Sequence, residues 1–399
     1  MKAGWISTCL EEVATIQSGV GFPEKFQGNL DHLIPYYKVS DMNTLGNERE
    51  MIHANNSIFE EVRLQIGAKI FPRGSIIFPK IGGSIATNKK RLTSMNSCVD
   101  NNVMGAIPKE GKIKSEFLFY FFESFNLSDL ANDAYLPSIK SSVVSNWSIK
   151  LPSSLMEQER IVDLLDEVFG FIASAQEVAE KNLEKARIIF ESQLQTIFSM
   201  RGDDWEDKTL EEISLIFGRG KSRHRPRNEP KLYGGNYPFI QTGDIRNAGH
   251  FITEFSQTYS DAGLAQSKLW PKGTICITIA ANIAETGVLE FDACFPDSVI
   301  GVVVNPEKAE AGFVEYLLQS FKARLKSMSQ GSARSNINLT TFEHQRFPFP
   351  TLAEQRMIVA KLSELSLETE HLISLYQQKI IALDELKKSF LHRAFNGDL

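Results

Sequence analysis

The sequence predicts an α+β fold built as an internal pseudo-two-fold repeat. Two β-rich α/β domains are separated by a pair of long antiparallel coiled-coil helices. Three observations carry this reading. First, residues 155–165, LMEQERIVDLL, recur as LAEQRMIVAKL at 352–362. Leu155, Glu157, Gln158, Ile161, Val162 and Leu165 thus reappear 197 positions later as Leu352, Glu354, Gln355, Ile358, Val359 and Leu362. In a chain of 399 residues that offset is half the length, the signature of one plan used twice. Second, each copy opens a stretch whose apolar residues follow a 4-3 rhythm, the 3.5-residue period of a coiled-coil seam. Third, the intervening segments alternate with period 2 and are punctuated by Pro and Gly, as strands joined by turns are.

The first domain spans 1–152. Its Trp5, Leu10, Glu11 and Glu12 recur as Trp205, Leu210, Glu211 and Glu212, and Pro35 and Asp41 as Pro238 and Asp244. Phe117, Tyr120, Ser124 and Phe125 recur as Phe313, Tyr316, Ser320 and Phe321. These anchors are collinear while the residues between them diverge, so the frame is shared and the loops are not. Ile76–Phe78 and Val103–Ile107 read as strands, the first opened by a Pro72-Arg73-Gly74 turn. The first long helix spans 153–201, with Ser154 as N-cap and Glu157 as its capping-box partner, satisfying free N–H groups of the first turn. Ile161, Leu165, Val168 and Ile172 are its seam positions. The second domain spans 202–350. Ile275, Ile277 and Ile279 alternate there with Cys276, Thr278 and Ala280, the pattern of a strand with one buried face. Val299–Val304 reads as a second strand. The second helix, 351–399, gives Thr351 and Glu354 the same capping roles and offers Ile358, Leu362, Leu365, Leu372 and Leu383 to the seam. Each helix, at roughly 40 residues, would reach about 60 Å.

A hydrophobic share of 42% and a charged share of 23% describe a soluble globular protein. MKAGWISTCLEEV lacks the basic start and apolar run of a signal peptide, and no apolar stretch is long enough to span a membrane. Cys9, Cys98, Cys276 and Cys294 lack C-x-x-C spacing and read as reduced core residues of a cytoplasmic protein, not as zinc ligands or a disulfide frame. The formal net charge is −6. Residues 156–207, however, hold 13 acidic against 5 basic side chains, and 353–398 hold 7 against 6, so the remainder is net positive. Acidic helices beside mildly basic domains suit a protein whose globular parts touch phosphate while its spacer does not.

The basic clusters are local. Residues 219–231, RGKSRHRPRNEPK, bring Arg219, Lys221, Arg223, Arg225, Arg227 and Lys231 into one Pro-containing segment, suited to tracking phosphates and equally to lying solvated in a loop. In the first domain Lys80, Lys89, Lys90 and Arg91 surround GGSIATN, read as a polar hairpin tip whose Ser84, Thr87 and Asn88 face base edges. GSARSNINL at 331–339 sets Arg334, Asn336 and Asn338 in a polar loop. Arg and Asn suit bidentate contacts with guanine and adenine. Lys38, Ser40, Lys140, Gln241, Thr242 and Asn282 complete the candidate DNA contacts. Each of these positions could equally be a turn residue.

Catalytic motifs are missing. Gly218-Arg219-Gly220-Lys221-Ser222 ends like a phosphate-binding loop, but Leu215 stands where the leading Gly is required. No Asn-Pro-Pro-aromatic motif of the amino-methyltransferases is present, and no G-x-S-x-G, H-E-x-x-H or histidine cluster. Asp100 with Glu110-Gly111-Lys112 imitates a nuclease triad, but Pro108 and Gly111 make it read as a turn. The chain is expected to bind and position while another chain does chemistry.

The layout resembles the specificity (S) subunits of type I restriction–modification systems. The matching segments are the helix entries at Pro152–Val162 and Pro350–Val359, where a Pro soon precedes E-Q-x-x-I-V. The others are GTICITIAANIAETGVLEFDACFPDSVIGVVVNPE at 273–307, the 331–339 loop and the final AFNGDL. The likeness covers essentially the whole chain and is closer in the second half, since DAYLPSIKSSVVSN at 133–146 lacks the Gly and Arg of its counterpart loop. The resemblance implies two target-recognition domains, each reading one half of a bipartite DNA sequence, with the helix pair as a ruler for the gap. It implies two methyltransferase (M) subunits docked on the helices and adjoining domains, and restriction (R) subunits joining through the complex. No cofactor is expected on this chain; S-adenosylmethionine, ATP and Mg belong to the partners. The alternatives are a solitary DNA-binding or methylation adaptor, and a DNA-modifying enzyme with an unrecognised site.

Overall fold

The computed structural model describes residues 4–399 except 203, 225, 281–282 and 331–338, and only the backbone of 323–330, 340, 341 and 343. Two compact units result, Met1–Glu180 with Gln378–Leu399, and Lys181–Gln377. Each unit therefore takes one β-rich domain and part of both long helices.

The first unit contains β1 (Trp5–Cys9), β2 (Ala14–Ser18), β3 (Ile34–Tyr37), β4 (Glu50–Met51), β5 (Ser57–Ile58), β6 (Ile76–Pro79), β7 (Arg91–Thr93), β8 (Cys98–Val99), β9 (Val103–Pro108), α1 (Ser115–Glu123) and β10 (Ser148–Pro152). Its sheets are β2-β9-β6-β7-β4, β5-β3-β8 and the pair β1-β10. The long helix α2 (Leu155–Ser199) follows. The second unit contains β11 (Glu206–Lys208), β12 (Ser214–Arg219), β13 (Tyr233–Phe239), β14 (Phe251–Ile252), β15 (Gln257–Tyr259), β16 (Leu269–Trp270), β17 (Ile275–Thr278), β18 (Thr286–Leu289), β19 (Ala293–Cys294), β20 (Val299–Val304), α3 (Ala311–Gln330) and β21 (Phe347–Phe349). Its sheets are β12-β20-β17-β18-β14, β15-β13-β19-β16 and β11-β21. Strand for strand the two orders coincide, down to the parallel pairs β4–β7 with β14–β18 and β3–β8 with β13–β19. The extra strand β16 stands where the first unit has an isolated bridge between Phe71 and Ser97. The chain ends in the long helix α4 (Leu352–Asn396).

The central strands β6, β9, β17 and β20 are buried on both faces, which corrects the expectation of one buried face for the strand at Ile275–Ile279. Ile275, Ile277, Ile300 and Val302 share a core with Phe313, Leu317 and Leu362, whereas Cys276 and Val299 face a second core with Ile240, Trp270 and Phe295. Alternation here separates two dry cores rather than core from solvent, because the smaller sheet covers the far face. Ile76, Phe78, Met104 and Ala106 divide from Ile77 and Val103 in the same way in the first unit. Each fully buried Ile contributes roughly 1.5–3 kcal/mol.

The helices keep the expected heptad. Leu165, Ile172, Ala179 and Ala186 are buried every seventh residue along α2, and Gln355, Leu362 and Thr369 along α4. Half-buried Tyr376, Leu383 and Phe390 extend the second series, while Val168, Ile358, Leu365 and Leu372 are also half-buried. Within the first unit the helices run antiparallel: Arg160 donates to the Leu399 carbonyl (3.1 Å) and Gln176 Nε2 to Asp384 Oδ1 (2.6 Å). Ile161 and Leu165 pack there with Leu391, Ala394 and Phe395 of α4. In the second unit Leu362 packs with Leu194 and Phe198 of α2.

The repeated Gln of the E-Q doublet is a buried bridge. Gln158 Nε2 donates to the carbonyls of Pro152 (3.0 Å) and Lys112 (3.2 Å), and its Oε1 accepts from Lys114 N (2.9 Å). Gln355 Nε2 donates to Pro350 O (2.9 Å) and its Oε1 accepts from Glu310 N (2.9 Å). One side chain thus ties strand end, helix start and the turn before α1 or α3. Tyr120 donates to Asp166 of α2, and Tyr316 pairs with Ser363 of α4 (3.3 Å), a second repeated tie. Arg49 reinforces the first (Asp166, 2.7 Å) and stacks near Phe119 and Tyr120. In the second unit His250 lies flat on Tyr316 and bonds to the buried Glu315 (2.5 Å).

Candidate nucleic-acid interface

Strand registers gather the candidate residues at one end of each domain. In the first unit Ser18 pairs with Met104, Pro79 with Val103, Ile77 with Arg91 and Tyr37 with Val99. The segments that leave these ends carry Lys38 and Ser40 after β3, Lys80 after β6, and Lys89 with Arg91 at the start of β7. The segment bearing Lys140 joins them, since Ile139 N donates to Lys80 O (2.9 Å). In the second unit Arg219 pairs with Ile300, Thr278 with Val299 and Phe239 with Cys294. Lys221 and Arg223 leave this end after β12, and Gln241 and Thr242 leave it after β13. Arg225, Asn282, Arg334, Asn336 and Asn338 lie outside the described residues.

Several of these cations bond to neutral acceptors. Lys38 Nζ donates to Gln27 Oε1 (2.6 Å), Lys80 Nζ to Ser18 Oγ (3.2 Å), and Lys89 Nζ to Asn43 Oδ1. Arg91 donates to the carbonyls of Lys90 and Met42 and so braces the turn more than it faces outward. Ser40, Lys140, Lys221 and Arg223 are exposed. Arg227 differs: it pairs with Asp297 (2.8 Å), and that pair is exposed. The short helix Val39–Asn43 begins where Asp41 accepts from Lys38 N (2.6 Å); Asp244 accepts from Gln241 N (2.8 Å) at the equivalent start. The repeated Asp therefore fixes the backbone from which Ser40 and Thr242 project.

Two expectations are corrected. Lys90 is buried, its ammonium donating to Phe125 O (2.7 Å), and burial pushes its pKa down to about 8. It fills core space in place of meeting phosphate. GGSIATN is a 3₁₀ turn, Gly82–Thr87, not a hairpin tip. Ser84 and Thr87 hydroxyls donate to Ile81 O and Ser84 O within it, and Asn88, in the left-handed region at φ 53°, accepts from Leu127 N (2.8 Å). These polar side chains are spent on the turn because a tight turn leaves backbone groups that need partners.

The imitation motifs dissolve. A Cβ on Gly220 would lie 2.3 Å from Phe295 O, and one on Gly19 would lie 2.1 Å from Asp100 O. Both glycines permit a backbone crossing, and Gly220 is no phosphate cradle. Asp100 and Glu110 sit at opposite ends of β9, roughly 20 Å apart at 3.3 Å per residue. Sequence reasoning missed Lys268, which lies over the Trp270 ring (3.6 Å). Burial, then Lys221, lowers its pKa, so the two ammoniums are neighbours. Single lysines beside aromatics carry no motif, and only the fold brings this one to the cluster.

A family model described as type I restriction modification DNA specificity domain matches residues 2–184 and 202–380. The chain belongs to this family, and each of the two matches takes in one β-rich domain with much of the long helix that follows it. It is 20% identical over 429 residues to the type I restriction enzyme StySPI specificity subunit of Salmonella potsdam, covering 100% of this chain and 90% of that one. The fold superposes on a chain from the work "Structural basis underlying complex assembly and conformational transition of the type I R-M system" with TM-score 0.81, 18% identity and coverage of 100% and 99%. It superposes on the HsdS subunit of Thermoanaerobacter tengcongensis with TM-score 0.66, 19% identity and coverage of 100% and 98%. The particular chain is thus a type I restriction–modification specificity subunit. Among the described residues no helix is long and apolar enough to cross a membrane.

Proposed function

We propose that each β-rich domain reads one half of a bipartite, asymmetric DNA target in the cytoplasm, and that the helix pair fixes the gap. The observation that carries this is the repeated gathering of basic and polar loops at the same strand ends of two topologically equal domains. Phosphate contacts from Lys38, Lys80, Lys140, Lys221, Arg223 and Lys268 would set register, while Ser40, Gln241, Thr242 and the 331–338 segment would meet base edges. The chain is non-catalytic and needs no cofactor of its own. Two M subunits dock on the helices and adjoining domains and supply S-adenosylmethionine chemistry. R subunits, with ATP and Mg, join through that complex.

The test neutralises Arg223, Arg225 and Arg227 together in the assembled methyltransferase. Affinity for a target duplex should fall, and the slope of log affinity against log salt should flatten by up to roughly 0.9 per lost phosphate contact. Arg227, already paired with Asp297, should contribute least. Unchanged affinity and slope would remove the segment from the interface.

A further inference from the structure

At the same end of the first unit, one loop has a pinned base and an apolar tip. Asn132 N donates to Ser138 O (3.1 Å) and Ser138 N to Asn132 Oδ1 (2.8 Å), which closes the loop on itself. Gly82 N donates to Pro137 O (2.7 Å), and Ser138 bridges Ile81, which fixes the returning limb to the 3₁₀ turn. Between these anchors residues 132–136 are all exposed. Leu136 keeps 61% of its surface, and Tyr135, at 108%, has nothing over it. Tyr135 is the most exposed large apolar side chain among the described residues. Leu136 rests Cδ1 near Gly82, while Tyr135 leaves its whole apolar surface in water. The tip itself carries Asp133 and no cation, so it would repel phosphates. The cations Lys80 and Lys140 stand at its base.

We propose that Tyr135 and Leu136 form a wedge against the bases of the half-site read by the first domain, with Tyr135 stacking on or between them. Lys80 and Lys140 hold the flanking phosphates. Base faces are neutral and apolar, so an uncharged aromatic tip beside basic anchors matches a base step and not a backbone. The closed base of the loop limits the ordering cost of binding. Insertion favours steps that unstack easily, such as pyrimidine–purine steps, so the wedge would add specificity at a position without a base-edge hydrogen bond. This inference rests on the assignment of that sheet end as the DNA face.

The experiment uses the complex of this chain with its methyltransferase partner and duplexes carrying 2-aminopurine at successive positions of that half-site. Binding should raise the fluorescence at one step, and Tyr135→Ala should abolish the rise. Tyr135→Ala should also weaken affinity roughly 5- to 100-fold with an unchanged salt slope, because no charge is lost, while Tyr135→Phe should bind like the native chain. The paired variant Lys80→Ala/Lys140→Ala should weaken binding and flatten the slope. If the lysine variant does so while Tyr135→Ala changes neither affinity nor fluorescence, the wedge is wrong and the DNA face stands. If neither variant alters binding, the DNA face falls and the wedge with it. Loss of methyltransferase assembly in Tyr135→Ala, seen by sedimentation, would make the tip a protein contact and also overturn the proposal.

Discussion

Two buried polar residues show how the same chemistry serves opposite ends. Gln355 satisfies Glu310 N and Pro350 O with one amide, and no apolar side chain can replace it. Gln355→Leu keeps the volume but strands a donor and an acceptor, so unfolding free energy should fall by about 2–4 kcal/mol, measured by urea denaturation. A loss under about 0.5 kcal/mol would mean that water replaces the amide. Lys90 is the contrary case, because its burial costs stability. Burial lowers its pKa to about 8, against about 10.4 for an unfolded lysine. Between those values the unfolded chain holds more protons, so stability rises with pH. The penalty is fully present below about pH 8 and fades as the pH approaches 10. Relative to Lys90→Met, the native chain should therefore gain of order 2 kcal/mol between about pH 7.5 and 9.5. A pH-independent difference would contradict the neutralisation of the buried amine. Both residues were visible in the sequence and neither role was. The E-Q repeat marked Gln158 and Gln355, but a glutamine near a helix start reads as exposed. Lys90 sat in a basic run, where one buried member looks like the rest.

Among the elements, the helices were the most legible, because a heptad with capping signals is a local pattern. Their observed bounds, Leu155–Ser199 and Leu352–Asn396, fall within the expected 153–201 and 351–399. The sheet ends were less legible, since the gathering of Lys38, Lys80 and Lys140 depends on strand order, a long-range property. The two-sided burial of β17 was hidden because Cys and Thr can face a core or solvent. A ruler predicts how an element should respond to a change in length. Ala179 and Ala186 lie seven residues apart on the buried stripe, so four residues inserted after Ala179 make that spacing eleven, a stutter that keeps both alanines on one face while locally unwinding the supercoil. They add about 6 Å of helix and slightly more than one turn. The gap between half-sites should then grow by on the order of two base pairs, at 3.4 Å each, with both half-sites unchanged. Methylation mapping of the variant complex reads this directly. An insertion that still methylates only the original spacing at full activity would end the ruler.

Across the whole molecule the repeat is close in topology, one short edge strand apart, and loose in sequence. Equal strand orders with different loops mean that each domain presents its own surface on a common frame. The basic segment 219–231 has no counterpart after β2, where residues 19–29 read GVGFPEKFQGN and hold a single basic side chain, Lys25. The loop at 131–140 lacks the Gly and Arg of 331–338 in turn. Two such surfaces should not read the same bases, so the target should be two unrelated half-sites, not a palindrome. Replacing residues 208–350 with the corresponding domain of a relative moves both larger sheets of the second domain together and leaves α2 and α4 native. The exchange should change one half-site and preserve the other half-site and the gap. Genome-wide mapping of methyl-adenine in cells that carry the exchanged chain with its methyltransferase partner would show this as a hybrid motif. A change in both half-sites would mean that recognition is shared between the domains, and that the repeated fold does not divide the labour.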